Sequence, residues 1–259
     1  MKIEDMINKI FLETSGNFEY LKQIPYNSID LIFIDPPYLT TSEDWDKKEI
    51  ITEQLSKEFY RILKDTGNFY CWCGIGEKSQ SLIRWFPIFN KNFIFKDLLT
   101  WKKQRGMGMR KGWLYTREEI MWFVKDNKQF IWNKEEQYSK TELRKIEKLF
   151  TGKEAKSKYK RLTNVFTDIS EQNIVGQKNP IKTHFTSKPL EILERIIKVH
   201  TKKKDIILDC FMGSGSIAVA CKRLNRNFIG MEIYQNYIDN SYNRLKEVKQ
   251  GEGLDDRNN

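Results

Sequence analysis

An α/β fold, with a parallel or mostly parallel sheet and helices on both faces, is what this sequence predicts. Three observations lead there. Short apolar runs alternate with segments whose apolar residues recur at helical spacing, from "KIFLET" near the start to "YIDNSYNRLKEV" near the end. One run, "DLIFID", ends on a carboxylate followed at once by Pro36, Pro37 and Tyr38. Another, "DIILDC", leads into the glycine-bearing "FMGSGS", a strand-to-helix junction where backbone N–H groups point outward. At 259 residues the chain can bury one sizeable core, or one core with an inserted subdomain.

The elements follow in order. "KIFLET" (9–14) and "DLIFID" (30–35) are short strands, and "EIITEQLSKEFYRIL" (49–63) is a helix by its apolar spacing. "GNFYCWCG" (67–74) is a strand, 76–86 a helix, and "FKDLLTWKK" (95–103) and "EIMWFVKD" (119–126) are further strands. From 127 to 183 this rhythm gives way to polar, Lys-rich sequence, read as an inserted region between a first half (1–126) and a second half (184–248) of one domain. It resumes with a helix over 187–200, for which Ser187 is the expected N-cap and Pro189 lies in the first turn. "DIILDC" (205–210) is a strand, "SIAVACKRL" (216–224) a helix, "NFIGMEI" (227–233) a strand, and 237–248 a last amphipathic helix. The tail, 249–259, has a disordered composition.

Composition narrows the function. No run of 18 apolar residues and no cleavable signal occurs, so a soluble, cytoplasmic protein is expected, with no membrane partner. Cys71, Cys73, Cys210 and Cys221 stand with only His184 and His200, in no zinc-ligand spacing; reduced buried thiols and no metal are expected. The net charge of +10 is concentrated: residues 101–185 hold 20 Lys+Arg against 10 Asp+Glu, and the remainder is balanced. An excess confined to one third of a chain suits a polyanion, most simply nucleic acid; a solvated lysine-rich face is the plain alternative.

In "DCFMGSGSIA" (209–218), Gly213, Gly215 and Ala218 satisfy the G-x-G-x-x-G/A fingerprint, and Glu232 ends the next strand, where an acid can hold a ribose diol. A nicotinamide dinucleotide needs a full βαβαβ half after the loop, and only about 40 residues remain, enough for one helix, one strand and a closing helix. S-adenosylmethionine (AdoMet) has no pyrophosphate. It needs a ribose acid and a tight loop, and Phe211 offers an apolar surface for its sulfonium.

These residues carry a family resemblance. "FMGSGS" with Glu232 resembles the AdoMet-binding motif of DNA amino-methyltransferases, "DPPY" their catalytic motif, and "HFTSKPLEILERII" (184–197) their H-x-T-x-K-P segment. "TWKKQRGMG" and "NVFTDI" also resemble segments of that class. The order, with the catalytic motif first and the basic region before the glycine loop, is that of the circularly permuted β class. The resemblance implies an AdoMet-dependent methyltransferase (Rossmann-like) fold with a mixed seven-stranded sheet and an inserted target-recognition region. It implies a restriction-modification-like enzyme acting on double-stranded DNA, compatible with a cognate restriction endonuclease and a homodimer.

The chemistry then explains "DPPY". An exocyclic amine is a poor nucleophile because its lone pair is delocalised into the base, and acceptors aimed at its N–H bonds localise that pair. Asp35 supplies one acceptor. The Pro36 carbonyl is the natural second, its direction restricted by the rings of Pro36 and Pro37. Tyr38 offers a stacking face for a flipped base. For the cofactor, Asp209, Phe211, Gly213, Ser214, Gly215 and Ser216 are expected around the methionine portion and Glu232 on the ribose. Thr186, Ser187 and Lys188 are expected, by resemblance, near the methionine carboxylate. Glu13, near the first strand, departs from the register usual for the acid at the adenine pocket. For DNA the candidates are Lys102, Lys103, Arg105, Arg110, Lys111, Lys158, Lys160 and Arg161, with affinity that falls steeply with salt. Adenine N6 is the expected target, because Asp at the first motif position is more typical of the adenine enzymes. Cytosine N4, a nicotinamide-dependent oxidoreductase, and a non-catalytic DNA-binding protein on the same scaffold stay open at this point.

Overall fold

The computed structural model describes residues 1–13, 18–107, 111, 113–134, 138–140, 159–169 and 188–251. Strand β2 (Ile29–Ile34), buried along its whole length, shows how the fold is built. Leu31 and Phe33 enter one core while Ile32 and Ile34 enter the other, because successive side chains of a strand point to opposite faces. A strand covered on both sides carries no polar alternation, which is why "LIFI" is a continuous apolar run.

The main sheet has eight strands in the order β1 (Lys9–Leu12), β10 (Asn227–Glu232), β9 (Ile206–Asp209), β2, β3 (Leu63–Cys73), β5 (Tyr115–Val124), β4 (Ile94–Met107) and β8 (Val165–Phe166). The first five in that order are mutually parallel. Strand β5 runs antiparallel to both neighbours, and β8 is parallel to β4. The mixed sheet agrees with the expectation, but it has one strand more than the seven expected. Two residues of "NVFTDI" form the extra edge, pinned where Thr100 N–H donates to the Asn164 carbonyl and the Trp101 indole to that of Ile169. A separate two-stranded antiparallel sheet pairs β6 (Tyr138–Lys140) with β7 (Tyr159–Arg161).

Helices α2 (Glu53–Ile62) and α3 (Ser81–Asn90) cover one face through Leu55, Phe59, Trp85 and Phe89. Helices α4 (Leu190–His200), α5 (Ser216–Arg223) and α6 (Gln235–Glu247) cover the other through Ile192, Ile196, Ile217 and Ile238. A short α1 (Glu19–Gln23), absent from the periodicity, follows β1. Because β2 continues into α2 on one face and β9 into α5 on the other, the chain diverges between two hydrogen-bonded neighbours. Open α/β sheets bind ligands at the carboxyl end of such a switch point.

Boundaries move for local reasons. Helix α2 starts at 53, not 49, because Thr52 caps it by accepting the Leu55 N–H at 3.2 Å. Helix α3 is displaced from 76–86 to 81–90, since Gly74, Ser79 and Ser81 bond to one another and Gln80 takes a left-handed conformation (φ 47°) before the helix begins. Pro189, not Ser187, is the cap residue of α4; Ser187 lies outside the described residues. Inside the stretch read as an insert, 127–183, the core still holds parts of the chain: Phe130 and Trp132 pack against Trp122, and Phe166 and Ile169 are buried. Among the described residues, no helix is long and apolar enough to cross a membrane.

Candidate active site

Four adjacent parallel strands end on acids at one edge of the sheet. Glu13 follows β1, Glu232 ends β10, Asp209 ends β9 and Asp35 follows β2. Strand register sets this alignment, with Leu12 opposite Glu232, Gly230 opposite Asp209, and Ile32 opposite Leu208. All four line one cleft of about 1400 Å³, together with Pro36, Pro37, Tyr38, Phe211, Gly213, Ser214 and Ser216. The "DPPY" segment and the glycine loop, some 175 residues apart in sequence, thus face the same space.

The loop after β2 is organised by an acid that periodicity does not single out. Asp46 is buried, and its carboxylate accepts the N–H groups of Leu39, Thr40 and Thr41 at 2.6, 2.7 and 2.6 Å. That bond set stabilises Leu39 in the left-handed region (φ 63°), a conformation unfavourable for leucine. Arg84 donates to the Tyr38 carbonyl at 3.2 Å and pairs with Glu49, which also accepts from the Trp85 indole at 2.9 Å. Arg84 of α3 therefore holds the end of "DPPY" at Tyr38, and Asp46 holds the three residues that follow it.

Both oxygens of Asp35 already have donors. The Tyr38 hydroxyl donates to Oδ1 at 2.6 Å, and Lys188 Nζ lies 3.2 Å from Oδ2. Lys188 also donates to Glu118 Oε2 at 2.9 Å, and Lys103 pairs with the other oxygen of Glu118. Burial raises the Asp35 carboxyl above its usual range, opposed chiefly by Lys188 and then by the Tyr38 hydrogen bond. Burial works the same way on Glu118, but Lys188 and Lys103 outweigh it and hold Glu118 at about 2. Lys188, expected near the methionine carboxylate, lines the cleft and is engaged there by Asp35 and Glu118. Lys103, a DNA candidate, likewise faces inward on Glu118 and the Trp101 ring.

The second wall is the glycine loop. Gly213 N–H donates to Glu232 Oε2 at 2.7 Å, and Oε1 accepts from Ile233 and Tyr234 at 2.8 and 3.1 Å. Burial lifts the Glu232 carboxyl and these N–H groups oppose the lift. Asp209 is pushed well above the carboxylate range by burial, against the Phe211 N–H bond at 3.0 Å. Phe18 and Phe211 meet edge to face at 5.8 Å, an apolar flank beside Glu13. Glu13, set aside by its sequence register, is buried in the same cleft, and Tyr20 N–H donates to it at 3.3 Å.

Gly215 does not line the cleft; it stands behind it as the residue before α5, at φ 73°. A Cβ there would lie 2.6 Å from Ser241 Oγ and 2.8 Å from Ser241 Cβ, whereas a Cβ on Gly213 (φ 50°) would meet only the Phe211 carbonyl at 4.0 Å. Gly215→Ala is expected to lower stability by about 2 kcal/mol or more and Gly213→Ala by about 1 kcal/mol, measured by urea denaturation. The reverse order would show that the packing against α6 does not govern this loop.

Of the other predicted residues, Lys102 and Lys111 are exposed. Thr186, Arg110, Lys158 and the side chains of Arg105, Lys160 and Arg161 lie outside the described residues. The cysteines are buried and unpaired, and no group of three or more His, Cys, Asp or Glu among the described residues could hold a metal ion.

A carboxylate at a strand end, facing a glycine loop and a second buried acid across one cleft, fits the class of nucleotide-cofactor-using enzymes on a Rossmann-like sheet. Comparison with known proteins gives the family. The DNA methylase profile of the N6/N4 amino-methyltransferases matches residues 29–243, and the chain belongs to that family. It is 32% identical to the type II methyltransferase M1.MboII of Moraxella bovis over 94% of this chain and 98% of that one. It is 30% identical to M.HpaI of Haemophilus parainfluenzae, covering 94% and 76%. In three dimensions it resembles the M1.HpyAVI–SAM complex (TM-score 0.62, 24% identity, 92% and 99% covered). It also resembles the cytosine-N4-specific PvuII methyltransferase (TM-score 0.66, 17% identity, 97% and 88% covered).

Proposed function

We propose that this DNA methylase transfers the methyl group of AdoMet to the N6 amino group of adenine in double-stranded DNA, as the modification enzyme of a type II restriction-modification system. One observation carries the reading: β2 and β9 are hydrogen-bonded neighbours, so the acid after one and the glycine loop after the other open into a single cleft. The type II methyltransferase relatives and the SAM complex of a structural neighbour support it.

The residues present suit AdoMet. Glu232 is a buried acid at a strand end, placed to take ribose hydroxyls while the backbone holds its carboxylate in position. Asp209, Phe211, Gly213, Ser214 and Ser216 would surround the methionine portion, and Thr186 and Ser187 are assigned to its carboxylate by motif. When bound, AdoMet supplies a methyl group on a sulfonium, an excellent leaving group, so no covalent enzyme intermediate is required.

The protein's contribution is positioning and hydrogen-bond acceptance in a site shielded from water. The amine of a flipped base takes the place of the Tyr38 hydroxyl on Asp35 Oδ1, which frees the Tyr38 ring to stack on that base. The Pro36 carbonyl accepts the second N–H. The amine would attack the methyl directly and in line, the N–C bond forming as the C–S bond breaks, and its surplus proton would leave through Asp35 or to water. Lys102 and Lys111 are exposed, as contacts with the phosphates of a duplex require.

Cytosine N4 is the alternative target, favoured by the likeness to the PvuII enzyme; Asp35 at the first motif position favours adenine. DNA methylated with labelled AdoMet, digested to nucleosides and separated, decides between them. N6-methyladenine is the expected product, N4-methylcytosine would replace the adenine reading, and an absence of label would end both.

A further inference from the structure

We infer that Lys188 is a positioning residue that selects which oxygen of Asp35 faces the cleft and keeps that carboxylate ionised, with Glu118 as its counterweight. The inference rests on the methyl-transfer reading for the use to which Asp35 is put, but the contacts stand by themselves. Lys188 is buried to a side-chain exposure of 10%, and its ammonium sits 3.2 Å from Asp35 Oδ2 and 2.9 Å from Glu118 Oε2. The faces of Trp72 and Tyr38 enclose it at 4.8 and 5.4 Å. With Oδ2 occupied by a buried cation, Oδ1 is the oxygen left to exchange Tyr38 for an incoming amine.

The groups facing Asp35 come from every element around it. Tyr38 belongs to its own loop, Lys188 to the approach to α4, and Glu118 to β5, with Lys103 of β4 behind it. Asp209 stands at the end of β9 and Cys73 at the end of β3. Among the described residues, Lys188 is the cation in direct contact with the carboxylate. Burial would push its ammonium down, yet Asp35 and Glu118 hold it well above the ordinary lysine range. It is a permanent charge, unsuited to relaying a proton and suited to fixing its neighbour's charge. Glu118 works the other way: its negative charge raises the proton affinity of Asp35 while anchoring Lys188.

A purely structural strut predicts that cutting either end has the same effect. The electrostatic role predicts opposite signs. Carbon-13 titration of aspartate carboxyls in the full chain reads this directly, with the Asp35 resonance assigned by its loss in Asp35→Asn. In Lys188→Met the Asp35 midpoint is expected to rise by about one to three pH units, and in Glu118→Gln to fall. Lys188→Arg, which keeps the charge, should stay close to the wild type and covers the case in which the methionine variant does not fold. The acid limb of single-turnover methyl transfer should move with the titration, so Lys188→Met regains activity at high pH. Midpoints moving in the same direction in the Met and Gln variants, or not moving, would overturn the inference. A wild-type protein that transfers no methyl to DNA would end the functional reading, while the titration would still decide the role of Lys188.

Discussion

Asp35→Ala is expected to lower single-turnover methyl transfer by about 10²–10³-fold or more, the range for removing one preorganised hydrogen-bond partner from a transition state. AdoMet binding, measured by calorimetry, should stay near the wild-type level. The geometry separates the two effects. Glu232 and the glycine loop are braced by bonds among themselves, from Gly213 to Glu232 and from Ser241 to the Gly213 carbonyl, and none of these passes through Asp35. The variant should also fold. Lys188 retains Glu118 as partner, so the buried ammonium is not left unpaired, the condition that makes loss of half an ion pair costly. Near-normal turnover in Asp35→Ala would remove this carboxylate from the mechanism.

The second large effect is on stability and lies away from the cleft. His200, at the end of α4, is buried beneath Trp122 and Trp132. Its Nδ1 lies 2.9 Å from the Ile131 carbonyl, which can only accept, so Nδ1 carries the proton. Nε2 then accepts from the Tyr70 hydroxyl at 2.6 Å. Burial depresses the imidazole from 6.5 to about 4, opposed by the bond to Ile131. The folded state thus binds its proton later than the unfolded chain. The His200 contribution is fully present above pH 6.5 and is lost as pH falls towards 4, a change of about 3 kcal/mol. Asp35, Asp209 and Glu232, raised by burial, act in the opposite sense as the medium is acidified. The comparison is therefore made against His200→Gln. Between pH 7 and pH 4 the wild type should lose about 3 kcal/mol relative to that variant in urea denaturation. Parallel pH dependences would show that His200 titrates normally.

Much of this molecule is legible in its sequence because its chemistry sits at strand ends. "DLIFID" and "DIILDC" announce buried strands by unbroken apolar runs, and each finishes on an acid that a core strand would otherwise avoid. The two acids of the first run also show the limit of such reading. Asp30 accepts the Ile206 N–H at 2.9 Å and pairs with Lys64 at 2.7 Å, tying two strands together at the far edge, whereas Asp35 opens into the cleft. Residue type is the same in both; the end of the strand decides the role. Glu118 carried no signal within "TREEIMWFV", because its importance comes from Lys188, 70 residues on. Asp46 was equally silent, since its partners are backbone groups.

The sequence by itself determined the α/β class, the acid at 35, the glycine loop with Glu232, and the concentration of positive charge in the middle third. Local rules suffice for these, since strand burial, turn chemistry and net charge depend on neighbours along the chain. Only the tertiary structure decided that Lys188 lies between Asp35 and Glu118, that Lys103 faces inward on Glu118, and that Glu13 joins the cleft. Those outcomes depend on strand order and register, which bring charges from distant segments to within about 3 Å, where each sets the ionisation of the next.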